Sequence, residues 1–410
     1  MRKFQTILLI CSVLFLFSCS KEDVEYPDIL KEKQYISSTL QVYYCGEEMP
    51  GKSVTLIPSQ TGDPLSVVLR CEGSTDLSQL SSIGLSGTGA APGVLPGSSS
   101  LELPVRLSKD KDGYSFSGSS STEYCSFSYS GSITDKLLSL NITDVQLSDK
   151  SFAGSIWKPT PLKQSGIEVD SNPIYTIWEI DPVPELDIDL SRILELLTVA
   201  PIIPTYHNTA YSSISQLISS SLQTIAFLEN GDIIVRYFSS VGGATQLVTS
   251  QGPTLQYLPL APNLIKLYPN PTSLFGLWLV AQSDSSDIPD ISFKAKQEGE
   301  TLKESLLPIV KELVPGVLQM TMAGIPVHIS KTETGCNAYL GTETILTVLD
   351  MIAKAVAQNP EIIDVLMGEA PQTPEMAELI SKLPQILPQL QTILANTTRI
   401  EIGLSLEPYQ

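Results

Sequence analysis

Carboxylates are the first residues here whose types and spacing could do chemistry. The run WEIDPVPELDIDLS, residues 178–191, holds Trp178, Glu179, Asp181, Glu185, Asp187 and Asp189. Glycoside hydrolysis needs two carboxyl groups facing one cleft, about 5–10 Å apart. An aromatic ring usually stacks on the sugar as well. In extended chain Asp187 and Asp189 share a face, and Trp178 lies near them in sequence. These two aspartates are the catalytic candidates. They also have a plainer reading, because Asp189 stands where a helix around Ser191 would take its N-cap. The chain has only three tryptophans, so stacking platforms are sparse for a dedicated sugar enzyme.

Other chemistries find less support. There are two histidines. His207 lies in the turn-like PTYHNTAY, and His328 sits on a strand facing away from Val327 and Ile329. Neither has metal-ligand spacing, and no metal site is expected. No Gly-x-Ser-x-Gly elbow occurs, although a triad assembled in space stays open. Gly87-Thr88-Gly89 in GLSGTGAAPG opens no evident helix, as a phosphate-binding loop must. No cofactor is expected. Asp110-Lys111-Asp112-Gly113 lacks full calcium-loop spacing and reads as a hairpin turn.

The N-terminus carries an address. Met1-Arg2-Lys3 precedes a run from Phe4 to Phe17 that is apolar apart from Gln5, Thr6 and Ser12. That is shorter than the roughly 20 residues a spanning helix needs and suits a signal peptide. Leu16-Phe17-Ser18-Cys19 resembles the bacterial lipobox. The resemblance implies cleavage after Ser18, at residues 1–18, and lipidation of Cys19. Ser20-Lys21-Glu22-Asp23 resembles the export signal of Bacteroidota-type surface lipoproteins, with Lys21, Glu22 and Asp23 as its core. It implies an outer-membrane protein held by acyl chains on Cys19 and exposed at the cell surface; a periplasm-facing position is the alternative. The chain as a whole resembles the lipoproteins of unknown function in that group, on these residues alone. Residues 19–33 read as an acidic tether.

Losing Arg2 and Lys3 with the signal takes the formal charge from −19 to −21. Such a surface repels phosphate backbones, so no nucleic-acid partner is expected. Exported cysteines can pair. Cys45, Cys71, Cys125 and Cys336 allow three connectivities of two bridges. Cys45, Cys71 and Cys125 all lie on or beside strand-like stretches, so one disulfide among them is expected, with Cys336 left free and buried.

Elements must position all of this. Residues 34–158 alternate with period two between turn signals. In the stretch from Tyr124 to Gly131, Cys125, Phe127 and Tyr129 share a dry face, opposite Ser126, Ser128 and Ser130. This reads as an antiparallel barrel or sandwich, a shape that resembles calycin-like domains. Glu72 to Ser100, rich in Ser, Gly and Pro, interrupts it as a long loop. Residues 159–410 read as an α+β domain. Helical spacing appears at 191–199, 211–225, 302–322, 342–357 and 373–395, with Pro308, Pro315, Pro384 and Pro388 expected to kink or break the last third. Asn230-Gly231 between apolar runs marks a hairpin. The fold expected is α+β, β-rich first and helical last.

The function expected is a lipid-anchored surface binding protein rather than an enzyme. An apolar or amphiphilic ligand would lie against the Pro-kinked C-terminal helices. A glycan-binding or glycan-cleaving accessory, using Trp178 to Asp189, is the alternative. So is a scaffold that binds a surface protein through Glu72 to Ser100.

Overall fold

The computed structural model describes residues 27–59, 63–78, 86–165, 168–183, 188–201, 203–204, 211–241, 244–274, 302–358, 373–386 and 389–409. The fold is mixed α+β with more strand than helix. Among the described residues no helix is long and apolar enough to cross a membrane.

The first part forms two sheets. One has four strands, ordered Lys33–Ile36, Lys52–Pro58, Ser66–Gly73, Ser100–Arg106. The other has six, ordered Glu47–Glu48, Leu40–Tyr44, Leu138–Leu147, Cys125–Ile133, Gly113–Ser121, Ser108–Asp110. Alternation builds them: along Cys125–Ile133, Cys125, Phe127, Tyr129 and Ile133 are buried, while Ser126, Ser130 and Ser132 are exposed. These orders do not close into a calycin-like ring, and the pairing is not wholly antiparallel. Leu40–Tyr44 runs parallel to Leu138–Leu147, from Leu40↔Leu138 to Tyr44↔Ile142.

The second part is built on a ten-stranded sheet whose main path runs Ala244–Thr249, Ile233–Val241, Leu222–Phe227, Ile156–Pro159, Thr397–Pro408, Cys336–Leu340, Ile325–Lys331, Leu264–Pro269, Leu255–Ala261. The terminal strand Thr397–Pro408 staples it. One edge pairs with Cys336–Leu340. The other pairs with Ile174–Ile180 along its first part and with Ile156–Pro159 along its last. The strand Ile156–Pro159 lies across the expected domain boundary and belongs to this sheet.

Helices cover one face. Here α1 is Leu190–Val199, α2 Ile214–Ser221, α3 Leu302–Ala323, α4 Thr342–Gln358, α5 Pro374–Ile386 and α6 Leu390–Asn396. Leu190, Ile193 and Leu196 of α1 pack with Leu379, Ile386 and Ile393 against Trp178 and Ile180. Three expectations change. The stretch 211–225 is helix only to Ser221; β-branched and aromatic residues then run as strand Leu222–Phe227. The helix α3 passes through Pro308 and Pro315 as one element. Pro384 lies inside α5, which ends at Ile386, and Pro388 lies outside the described residues.

The loop Glu72 to Ser100 is part buried and part exposed: Asp76, Ser78 and residues 86–88 face solvent, and 79–85 lie outside the described residues. Residues 91–96 are buried, with Val94 and Leu95 in the main core. They form a plug over the four-stranded sheet. Lys52 is buried beneath it and donates to the Pro92 carbonyl at 2.8 Å. Burial alone lowers its amine to about 7, because a desolvated ammonium is disfavoured.

The two parts share one core. Tyr44, Val94, Leu95, Leu147, Phe227, Ile233 and Tyr257 belong to a single buried cluster. The turn Leu228–Asp232 is seated in it. Tyr44 donates its hydroxyl to the Asn230 carbonyl, the Leu147 amide to that of Glu229 at 3.2 Å, and the Tyr257 amide to that of Gly231 at 2.7 Å. Gly231 has φ +88°, and a Cβ there would meet Pro96 Cγ at 3.0 Å and the Tyr257 carbonyl oxygen at 3.3 Å. Gly231→Ala should therefore cost about 1–3 kcal/mol, from left-handed strain plus crowding. Urea unfolding should show a lower midpoint and one transition for both parts. Two separated transitions in the native chain would refute a shared core.

Candidate binding groove

The six-stranded sheet turns its wet face into a hydroxyl lattice. Ser115, Ser132 and Ser139 lie side by side across three strands. The next row is Ser117, Ser130 and Asn141, and the next Ser119, Ser128 and Thr143. Neighbouring strands are about 4.8 Å apart, so each row repeats a donor–acceptor group at that spacing. Where this face meets the end of strand Ser100–Arg106 lies a groove of about 550 Å³. Its walls are Ser108, Ser115, Ser117, Ser130, Ser132, Ser139 and Asn141, with the Arg106 guanidinium at one side. Arg106 pairs with Asp63 at 3.4 Å and stays largely exposed. Phe116 closes the floor from the core side. Among the described residues the lining holds no carboxylate, histidine or thiol. It can exchange hydrogen bonds with a ligand, but it has no group that trades a proton near neutrality.

Of the expected catalytic pair, only Asp189 lies among the described residues. Asp189 caps α1, accepting from the Arg192 amide at 3.0 Å. A carboxylate so placed satisfies a helix-end donor. Trp178 is not a stacking platform. It packs on the helix side, and its indole N–H donates to Thr397 Oγ1 at 3.0 Å. Asp187, Glu185 and His207 lie outside the described residues, as do Ser18, Cys19, Lys21, Glu22 and Asp23. The expected disulfide is not formed. Cys45, Cys71, Cys125 and Cys336 are all free thiols, the last three buried. Cys71 and Cys125 sit on different sheets. Gly87-Thr88-Gly89 contributes a two-residue strand paired with Thr75–Asp76, with no helix after it. Asp110 ends one strand of the hairpin that Gly113 resumes.

A second cluster lies on the large sheet, on the face away from the helices. Tyr175, Gly403, Tyr339 and His328 fall in one register row. The tyrosine rings lean together over Gly403, centroids 5.3 Å apart, and His328 stacks on Tyr339 at 5.6 Å. A Cβ at Gly403 would lie 2.0 Å from the Ala338 carbonyl oxygen, so only glycine fits. Beside the rings Tyr175 donates to Glu401 at 2.8 Å. Arg399 holds both Glu401 oxygens at 2.8 and 3.0 Å, and reaches Glu179 at 3.5 Å. Burial alone would raise Glu401, but the hydrogen bonds from Arg399 and Tyr175 and the Arg399 charge outweigh it, leaving its carboxyl below the ordinary value. A carboxylate held ionised in this way cannot serve as a general acid near pH 7. The cluster braces the sheet.

Between α4 and α6 a cleft of about 280 Å³ is lined by Leu346, Asp350, Gln391, Leu394 and Ala395. Among the described residues no group of histidine, cysteine and acidic side chains is placed to hold a metal.

No family model matches the chain, no curated protein matches it, and no solved structure matches it.

The serine alternation from Ser126 to Ser130 was visible in the sequence. Nothing there showed that Ser115, Ser117, Ser139 and Asn141 would stand beside it, because pairing between distant strands sets that. If Asp189 is a cap, Asp189→Ala should cost about 1 kcal/mol and Asp189→Ser should recover most of it. Thermal unfolding of both variants checks this; equal loss in both would reject the cap.

Proposed function

We propose that this chain is a lipid-anchored binding protein of the outer membrane, facing outward, whose ligand is a glycan held in the hydroxyl groove. Support for the anchor is the lipobox-like Leu16-Phe17-Ser18-Cys19 and the following Lys21-Glu22-Asp23. The single observation that carries the ligand class is the groove's lining: serines, one asparagine and one arginine around about 550 Å³. A polyhydroxylated molecule exchanges its water for such groups one hydrogen bond at a time. An apolar ligand would strand them unpaired, at about 1–3 kcal/mol each. Binding without cleavage is the activity favoured, since the lining offers no acid–base pair.

An apolar or amphiphilic ligand against the C-terminal helices ranks below this. The cleft there, about 280 Å³, is smaller than the roughly 300–1,000 Å³ typical of ligand pockets. It also presents Asp350 and Gln391.

The test uses residues 20–410, soluble and without Cys19, titrated with bacterial and host polysaccharides and their oligosaccharides by calorimetry. Ser117 and Ser130 are exposed, so Ser117→Trp and Ser130→Trp would fill the groove without touching the core. Each should weaken binding at least tenfold while leaving the unfolding midpoint unchanged. A wild-type protein that ignores every glycan and carries a solvent-extractable mass in native mass spectrometry would overturn the reading in favour of an apolar ligand. In the full chain, Cys19→Ser should move the protein from the membrane to the soluble fraction.

A further inference from the structure

Asp232 is the most deeply buried carboxylate in the seated turn, 3% exposed. Asn230 Nδ2 donates to one carboxyl oxygen at 2.8 Å, and Gln256 Nε2 reaches the other at 3.5 Å. Its backbone is fixed too: the Asp232 amide donates to Asn230 Oδ1 at 3.0 Å, and the Leu228 amide donates to the Asp232 carbonyl at 2.9 Å. The carboxyl therefore cannot swing to water without disturbing the turn that both parts grip.

Its surroundings favour the neutral form. Tyr44 comes from strand Leu40–Tyr44, and Glu47 and Cys45 from the hairpin at its end; Glu47 adds a like charge. Tyr257 and Gln256 face it from strand Leu255–Ala261. Within the turn Glu229 is paired to Lys150 at 3.1 Å, which occupies the nearby ammonium. Asp144 lies by the same hairpin. Among the described residues no lysine or arginine pairs with Asp232. Burial is the main cause that pushes its carboxyl up, to about 7, and the two amide hydrogen bonds offset only part of that. A half-turn of the Gln256 amide would offer its oxygen to the acid proton.

We propose that this joint is an acid-locked hinge: the turn stays seated between the two parts while Asp232 keeps its proton, and unseats as the carboxyl ionises and seeks water. The sign follows from linkage. The seated form holds a proton that the unseated, hydrated form releases near 3.8. The stabilisation is full below about pH 4, is lost as pH rises towards 7, and changes no further above that. Inside this window the opening constant should rise about tenfold per pH unit.

The test is amide hydrogen exchange on soluble residues 20–410 between pH 5 and 8, corrected for intrinsic rates. Segments 40–48, 226–235 and 255–258 should open tens of times more often at pH 7 than at pH 5 and level off above it. The terminal strand Thr397–Pro408 should not follow. Asp232→Asn, neutral at every pH, should flatten the profile. Should that variant not fold, Glu47→Gln removes the like charge and should move the levelling-off point to lower pH. A flat wild-type profile, an unaltered slope in Asp232→Asn, or an unmoved levelling-off point in Glu47→Gln would each overturn the hinge.

Discussion

The constraint on which the structure depends is that the inner end of the turn Leu228–Asp232, Gly231 and Asp232, is buried, while Leu228 and Glu229 stay exposed. Turns normally lie in water because their backbone groups need partners. Here the carbonyls of Leu228, Glu229, Asn230 and Gly231 are met by Tyr257, Leu147, Tyr44 and the Tyr257 amide. Those donors come from both parts of the chain. The β-rich first part and the large sheet are therefore joined through hydrogen bonds that neither could satisfy alone. The buried plug 91–96 completes the fit, with Pro96 against Gly231.

Seating the turn leaves the other face of the six-stranded sheet in solvent, where the serine rows stand. The strands that present them, Gly113–Ser121, Cys125–Ile133 and Leu138–Leu147, are pinned on the inside by Phe116, Phe127, Tyr129, Leu140 and Ile142. Rigid backing of this kind keeps hydroxyls in register without spending entropy on long side chains. It also explains why the groove is polar although the sheet carries much of the core: period-two alternation sends Phe116, Phe127, Tyr129, Leu140 and Ile142 inward. Positive charge there is confined to Arg106, in a chain whose balance is strongly acidic.

The acidic residues divide by environment rather than by motif. Asp189 stabilises a helix end, Glu401 is clamped by an arginine, and Asp232 is buried with amides alone. The three look alike in sequence. Only Asp189 has a local signature, the helix that follows it, and that structural reading was available from the start. Glu401 depends on Tyr175, 226 positions away, and Asp232 on burial by segments far from it in the chain. No local pattern encodes either environment.

What the sequence by itself determined is what depends on neighbours a few residues apart. It includes the strand alternation of the first part, the Asn-Gly hairpin, the cap at Asp189 and the helical spacing of α1, α4 and α5. Hydrophobic periodicity and side-chain-to-backbone bonding act at that range. Tertiary structure alone decided the rest: the parallel pairing of Leu40–Tyr44 with Leu138–Leu147, the burial of residues 91–96, the free thiols, and the inward face of Trp178. The physical reason is common to them all. Each is settled by which distant surface a segment meets, and a Ser-Gly-Pro loop, a cysteine or a tryptophan is buried or exposed according to that partner rather than to its own neighbours.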